Sequence, residues 1–134
     1  MKYKILVLLT LSFLTFSMSA QTTMVSETYF SSLYDKPNMV WIDGEDHSET
    51  TFIKLSKKWT TLKIINDVGE FNYLIDNVKI GNKPGIYILN LTSDNGKKYT
   101  MVHDVDNDFV KLGFKDNEGL IRSITYEIKN YWED

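Results

Sequence analysis

The sequence contains no cysteine, and it has only two prolines and seven glycines among its 134 residues. Without cysteine the chain has no disulfides, no thiolate metal site and no thiol nucleophile, so packing alone must stabilise it. Attachment of acyl chains to a cysteine after a signal sequence is excluded for the same reason. The composition, 43% hydrophobic and 25% charged, also excludes collagen-like and low-complexity chains and is typical of a soluble globular domain.

Long apolar runs are absent except at the N-terminus. There Lys2 and Lys4 precede an apolar run over residues 5–16, and small residues follow up to Ala20. This order is typical of a secretory signal peptide, and the run is short for a membrane span. The sequence therefore predicts a signal peptide at 1–20, cleavage after Ala20 and a secreted or periplasmic protein with no membrane anchor in its mature form. Cleavage after Ser19, favoured by the bulk of Met18, and an uncleaved anchor are the alternatives.

Basic charge is scarce in the predicted mature chain. Removal of Lys2 and Lys4 leaves thirteen Lys and Arg against eighteen Asp and Glu, a net charge of about −5. The basic residues are scattered, and the adjacent pairs 57–58 and 97–98 are typical of solvated turns. Because nucleic-acid binding needs a basic face, we expect no nucleic-acid partner.

The mature chain has no internal repeat and no linker composition, so a single domain over residues 21–134 is expected. Its first segment has helical spacing. Val25, Tyr29 and Leu33 recur every four residues, Thr22 or Thr23 is a suitable N-cap, and Pro37 ends the pattern. These features predict one N-terminal α-helix whose apolar stripe packs on the rest of the domain.

From Met39 onward the hydrophobic period becomes two, and apolar runs alternate with clusters of Gly, Asn and Asp. This pattern predicts a mainly β fold, an antiparallel meander of about 7–8 strands that forms a barrel or a strongly curved sheet. The second run also fits a short helix, since Phe52, Leu55 and Trp59 share one helical face. The predicted strands are 39–42, 52–55, 61–65, 71–80, 86–92, 98–104, 109–115 and 120–129.

The turns between these strands have typical hairpin residues. Gly96 and Gly119 each follow Asn or Glu in a polar cluster, and such residues tolerate positive φ. Consecutive strands should therefore be neighbours. In the run at 86–92, Ile86 and Ile88 lie opposite the other apolar side chains, so we expect the helix or a second layer of sheet to cover the outside of this strand.

The meander and its apolar interior resemble, in architecture, the small calycin-type barrels of lipocalins and avidins, from Met39 to the C-terminus. That resemblance implies a secreted ligand-binding protein. Lipocalins carry a Gly-x-Trp pattern on their first strand, whereas Trp41 follows Met39 and Val40. No binding residue is therefore transferred from that architecture.

Catalytic patterns are also missing: there is no glycine-flanked serine, phosphate loop or dinucleotide fingerprint. The two histidines, His47 and His103, are better explained by structural positions than by catalytic or metal-binding roles. His47 lies among acidic residues, as in a solvated loop rather than a metal or proton-transfer site. His103 precedes Asp104 at a strand end, where an oriented base would need a nucleophile from elsewhere. The sequence favours a protein that is not an enzyme, with carboxylates that meet in three dimensions as the open exception.

Three aspartates alternate from the last residue of the sixth predicted strand onward, at Asp104, Asp106 and Asp108. Carboxylates spaced by two residues begin a calcium loop, but the sixth and twelfth positions are Phe109 and Lys115 instead of Gly and Glu. A carboxylate-rich hairpin turn is therefore favoured, and calcium is the alternative.

Aromatic residues give the only indication of a binding site. Tyr73, Tyr87 and Tyr99 on neighbouring strands would supply apolar walls with orienting hydroxyls, and His103 would add a polar group. We therefore predict a small binding module that holds a small apolar or amphipathic ligand in a barrel cavity, without cofactor or metal. The alternative is a protein–protein interaction or structural module that presents a sheet edge or an aromatic face.

Overall fold

The computed structural model describes residues 21–133, which form a single antiparallel sheet of nine strands. The predicted signal peptide lies outside the described residues. Within residues 21–133 no helix has the length and hydrophobicity to span a membrane. The strands are β1 (Thr22–Asp35), β2 (Val40–Asp43), β3 (His47–Leu55), β4 (Thr61–Ile65), β5 (Glu70–Ile80), β6 (Ile86–Ser93), β7 (Lys98–Asp104), β8 (Phe109–Lys115) and β9 (Ile121–Glu133).

The sheet closes into an eight-stranded barrel with one extra strand. Each strand from β3 to β9 pairs with the next, and β1 pairs with both β3 and β9, which closes the barrel. The extra strand is β2, which pairs with the last part of β1 from Ser32 to Asp35. In that part of the sheet β3 has already separated from β1, so β2 extends the wall beyond the barrel. The predicted antiparallel meander is confirmed, and the sheet is closed.

The predicted N-terminal helix is wrong: residues 22–35 form β1, the longest strand. A bulge explains the misleading spacing. Before it, Met24 and Ser26 face the interior, and the register then shifts between Ser26 and Thr28. The extra residue reverses the alternation, so that Tyr29 and Leu33 face inward instead. The four-residue spacing is thus an alternating strand interrupted by one bulge.

The helical interpretation of residues 52–59 is wrong as well. β3 continues to Leu55, and Trp59 lies in the following turn with φ of 54°. Its indole is buried in the core. The apolar spacing thus pointed to a core residue, although the segment is not helical. The other predicted strands agree with the observed ones to within a few residues at each end, and Gly96 and Gly119 adopt the expected positive φ.

The barrel interior is filled by apolar side chains. The inward residues of β6 and its neighbours, Leu89, Leu91 and Met101, are fully buried. Ile86 and Ile88 face outward and are half-buried, and the expected helix or second sheet layer over them does not occur in residues 21–133. Ile86 is covered by its own hairpin turn, since a Cβ added at Gly81 would lie 2.7 Å from Ile86 Cγ2.

Candidate functional site

The four sequence-predicted ligand residues fall into two pairs. Tyr73 and Tyr99 meet edge to face with ring centroids 5.1 Å apart, and Tyr87 lies opposite His103 in the β6–β7 register. The pairs lie at opposite ends of the β5–β6 ladder, where Tyr73 is opposite Ser93 and Tyr87 is opposite Ile80. Tyr73, Tyr87 and His103 are buried in the core, and Tyr99 is partly exposed.

His103 is a neutral core residue. Burial lowers its pKa to about 4, and the carboxylates of Asp104 and Asp108 oppose that shift only in part. Its Nδ1 has no hydrogen-bond partner within the described residues. Because desolvation disfavours the charged form, this histidine carries no positive charge at neutral pH.

The buried tyrosines are protonated at neutral pH. Burial, and then the neighbouring Tyr99, raises the pKa of Tyr73 to about 12. Burial also raises the pKa of Tyr126, with a smaller contribution from Tyr73 across the interior. Desolvation likewise raises the pKa of Tyr87, followed by the charge of Asp106. These hydroxyls therefore act as neutral donors and acceptors.

The remaining sequence candidates have local structural roles. Asp104 caps the β7–β8 turn, since its carboxylate accepts hydrogen bonds from Asn107 N (3.1 Å) and Asn107 Nδ2 (2.9 Å). This is the predicted carboxylate-rich hairpin turn. His47 is exposed, but it begins β3 instead of lying in a loop, and its ring stacks on Tyr29 with centroids 5.1 Å apart.

A groove of about 960 Å³ opens on the outer wall of the barrel. We call it the outer groove. Its floor is formed by the outward side chains of β6 to β9, and β2 supplies one wall. The lining residues are Trp41, Asp76, Asn77, Asn90, Leu91, Lys97, Lys98, Tyr99, Thr100, Val102, Lys111, Gly113, Phe114, Lys115, Ile121 and Ser123.

The floor of the outer groove is hollow because its central residue has no side chain. Thr100 of β7 lies opposite Gly113 of β8, and Gly113 lies opposite Ser123 of β9. A Cβ added at Gly113 would make only ordinary contacts, the nearest at 3.6 Å from the carbonyl oxygen of Thr100. The glycine is thus not forced by its backbone, and a larger residue there would fill the groove.

Trp41 is the aromatic wall of the outer groove. Its indole lies 5.2 Å from the ring of Tyr34, centroid to centroid, on the neighbouring strand β1. The Nζ atom of Lys111 lies 4.3 Å from the Trp41 ring centroid. A cation over the ring face is attracted by the aromatic quadrupole, so Lys111 holds the indole toward the floor. Trp41 nevertheless remains 40% exposed, which leaves ring surface available for a ligand.

Three lysines on the outer faces of β7 and β8, Lys98, Lys111 and Lys115, line the outer groove, with Asp76 as the single carboxylate among the described lining residues. Lys98 Nζ lies 3.6 Å from Asp76 Oδ2. Lys97 Nζ lies instead over two inward-facing rings at the end of the barrel, 5.5 Å from the Tyr99 centroid and 5.0 Å from the Phe114 centroid. Lys111 and Lys115 have no carboxylate within 4 Å among the described residues, and neither has Lys97.

This cluster was not predicted, because adjacency along the chain identifies only the pair 97–98. Lys98 and Thr100 alternate on the outer side of β7, as Lys111, Gly113 and Lys115 do on β8. The polar turn at 105–108 connects the two strands, and pairing them across it places all of these residues on one face. Alternation within these two strands was therefore a sequence signal for the lysine cluster, but not for its contact with Trp41.

Two polar features complete the groove. Asn90 Nδ2 donates to Asn77 Oδ1 at 2.7 Å, which places two carboxamides side by side. Ser123 is fully buried beside Gly113, and its hydroxyl has no hydrogen-bond partner among the described residues. Buried hydroxyls are usually satisfied, so an unpartnered one at a groove floor is a candidate ligand contact.

No protein-family model, curated protein or solved structure matches the chain.

Proposed function

We propose that the mature chain is a secreted or periplasmic module that binds a small amphipathic ligand in the outer groove without converting it. The order of charged, apolar and small residues over 1–20 supports export. The observation that carries the binding proposal is the partly exposed indole of Trp41 over a hollow floor at Gly113. A concave site with aromatic walls and a few polar groups is the usual form of a small-molecule site, and about 300–1,000 Å³ is its usual volume.

The groove is a better candidate than the barrel interior. Leu89, Leu91 and Met101 fill the interior, and Tyr73, Tyr87 and His103 are packed among buried residues. Of the four predicted ligand residues, Tyr99 borders the groove, but its ring faces the interior, where it contacts Tyr73. A ligand site at the other three stays a prediction. Binding without turnover remains part of the proposal because the sequence carries no known catalytic pattern.

The first test is binding of the amphipathic probe 1-anilinonaphthalene-8-sulfonate, followed by its fluorescence. Trp41→Ala should weaken saturable binding at least about tenfold, the equivalent of roughly 1.4 kcal/mol, because the indole forms a groove wall. Trp132→Ala is the matched control, since Trp132 is 43% exposed and lies on β9 outside the groove. Equal effects of the two substitutions, or no saturable binding to the unaltered protein, would contradict the proposal.

A second candidate function is docking of a protein partner on β2. This strand is exposed at every residue, including Val40 and Ile42, and within the described residues it pairs only with β1. An apolar edge strand offers main-chain groups and side chains for the addition of another strand.

The second candidate is tested by capture of a partner from the secreted fraction of the native host. Ile42→Lys should abolish capture by the tagged protein, because it places a charge on the exposed edge. Leu74→Lys is the control: Leu74 is 60% exposed and Ile42 is 53% exposed, but Leu74 lies on β5. Capture that survives Ile42→Lys, or that both variants abolish, would reject β2 as the docking edge.

A further inference from the structure

We propose that the outer groove selects anions, and that its ligand is an amphipathic carboxylate with a flat apolar body. This inference rests on the proposed function and specifies its ligand class. The first observation is charge: Lys98, Lys111 and Lys115 project into one groove of a chain whose residues 21–134 carry more acidic than basic side chains. Only Lys98 is compensated by a described carboxylate, that of Asp76.

The fold, more than the sequence, concentrates this charge. The β7–β8 register places Val102 opposite Lys111 and Thr100 opposite Gly113, so the outer side chains of the two strands form one surface. Lys115 lies two residues beyond Gly113 on β8, and Lys98 lies two residues before Thr100 on β7. Because like charges repel, such a cluster is stabilised when an anion lies between its members.

Apolar groups surround the lysines. Trp41, Val102 and Ile121 present apolar surface to the groove, and the Trp41 indole is its aromatic wall. A fully polar anion would leave this apolar surface unused. A flat apolar body packs against the Trp41 indole by offset stacking, while its carboxylate reaches the ammonium groups.

The floor argues against an extended peptide as the ligand. The main-chain groups of β6 to β9 are already engaged in three ladders, β6–β7, β7–β8 and β8–β9. Peptides recognised in extended form depend on free main-chain groups at a sheet edge. In the groove only side chains are available, among them the carboxamides of Asn77 and Asn90 and the buried Ser123 hydroxyl, which lacks a partner among the described residues.

The closing experiment compares 2-naphthoate with 2-naphthamide by titration calorimetry. The two compounds share one ring system and differ in charge. We expect the carboxylate to bind at least about tenfold more tightly than the amide at low ionic strength, and the difference to shrink as salt screens the lysines. Lys115→Gln should reduce that difference several-fold, whereas Lys57→Gln, in the exposed β3–β4 turn, should leave it unchanged.

Two further variants separate charge selection from damage to the fold. Asp76→Asn should increase affinity for the carboxylate several-fold, because Asp76 competes with the ligand for Lys98. Loss of structure cannot produce such a gain. Gly113→Val should abolish binding of both compounds by filling the groove, with an unchanged circular dichroism spectrum, since the added Cβ makes only ordinary van der Waals contacts.

The possible outcomes distinguish this inference from the proposed function. Equal affinity for 2-naphthoate and 2-naphthamide would overturn anion selection and leave the binding function in place. Binding of the fluorescent probe that depends on Trp41, without binding of 2-naphthoate, would overturn the ligand class alone. Tighter binding of an oligoglutamate peptide or of oligothymidylate would overturn it as well. If the protein binds neither the probe nor the naphthalene compounds, both proposals fail.

Discussion

Lowering the pH from 7 to 4 is expected to cost the protein about 3 kcal/mol of stability through His103 alone. Burial holds its folded pKa at about 4, against an ordinary value of 6.5 in the unfolded chain. Between these values the unfolded state binds a proton that the folded state does not, so stability is fully present above pH 6.5 and falls as the pH decreases to 4. Each difference of one in pKa corresponds to about 1.4 kcal/mol.

The measurement is the urea midpoint at several values between pH 7 and pH 4. His103→Leu should flatten the dependence in this window, because the titrating group is removed and an apolar side chain replaces it in the core. His47→Gln should retain the dependence, since His47 is exposed at the start of β3 and His103 is still present. A slope that is unchanged in His103→Leu would show that other groups cause the acid sensitivity.

Leu89→Ala is expected to destabilise the barrel by about 2–5 kcal/mol, the usual cost of a large-to-small change in a core that cannot collapse. Leu89 is 0% exposed, on the inner face of β6. Leu74→Ala is the same chemical change on the adjacent strand β5, where the side chain is 60% exposed, and should cost less than about 1 kcal/mol. Denaturant midpoints that move equally in both variants would place the core elsewhere.

The β meander was predictable because its turns carry their own chemistry. Gly96 and Gly119 sit where positive φ is needed, and the apolar alternation between such turns gives each strand an inner face. β1 was not predictable in this way. Its bulge near Ser26 changes the inward positions from even to odd numbers, and the resulting spacing imitates a helix.

The outer groove could not be predicted from residues close in sequence, and the reason differs from that for β1. Within residues 21–133, Trp41 belongs to a strand that pairs only with the end of β1, and nothing near residue 41 indicates that its ring meets Lys111 on β8. Closure of the barrel determines that contact, because it places β9 and β8 beside β1. Tyr73 and Tyr87 were predicted to line a cavity from alternation alone, which identifies an inward side chain but not whether neighbours fill the space around it.

The seam between β1 and β9 also has consequences for how the chain folds. Thr22 pairs with Glu133, so the first strand of the described barrel, β1, pairs with the last strand, β9. Contacts of such large sequence separation slow folding, because loop entropy must be lost before they form. During synthesis the seam stays open until the last strand has emerged, and until then the edge of β1 that pairs with β9 has no partner strand. Because β1 must pair with β9, the barrel cannot close before the last strand has been synthesised.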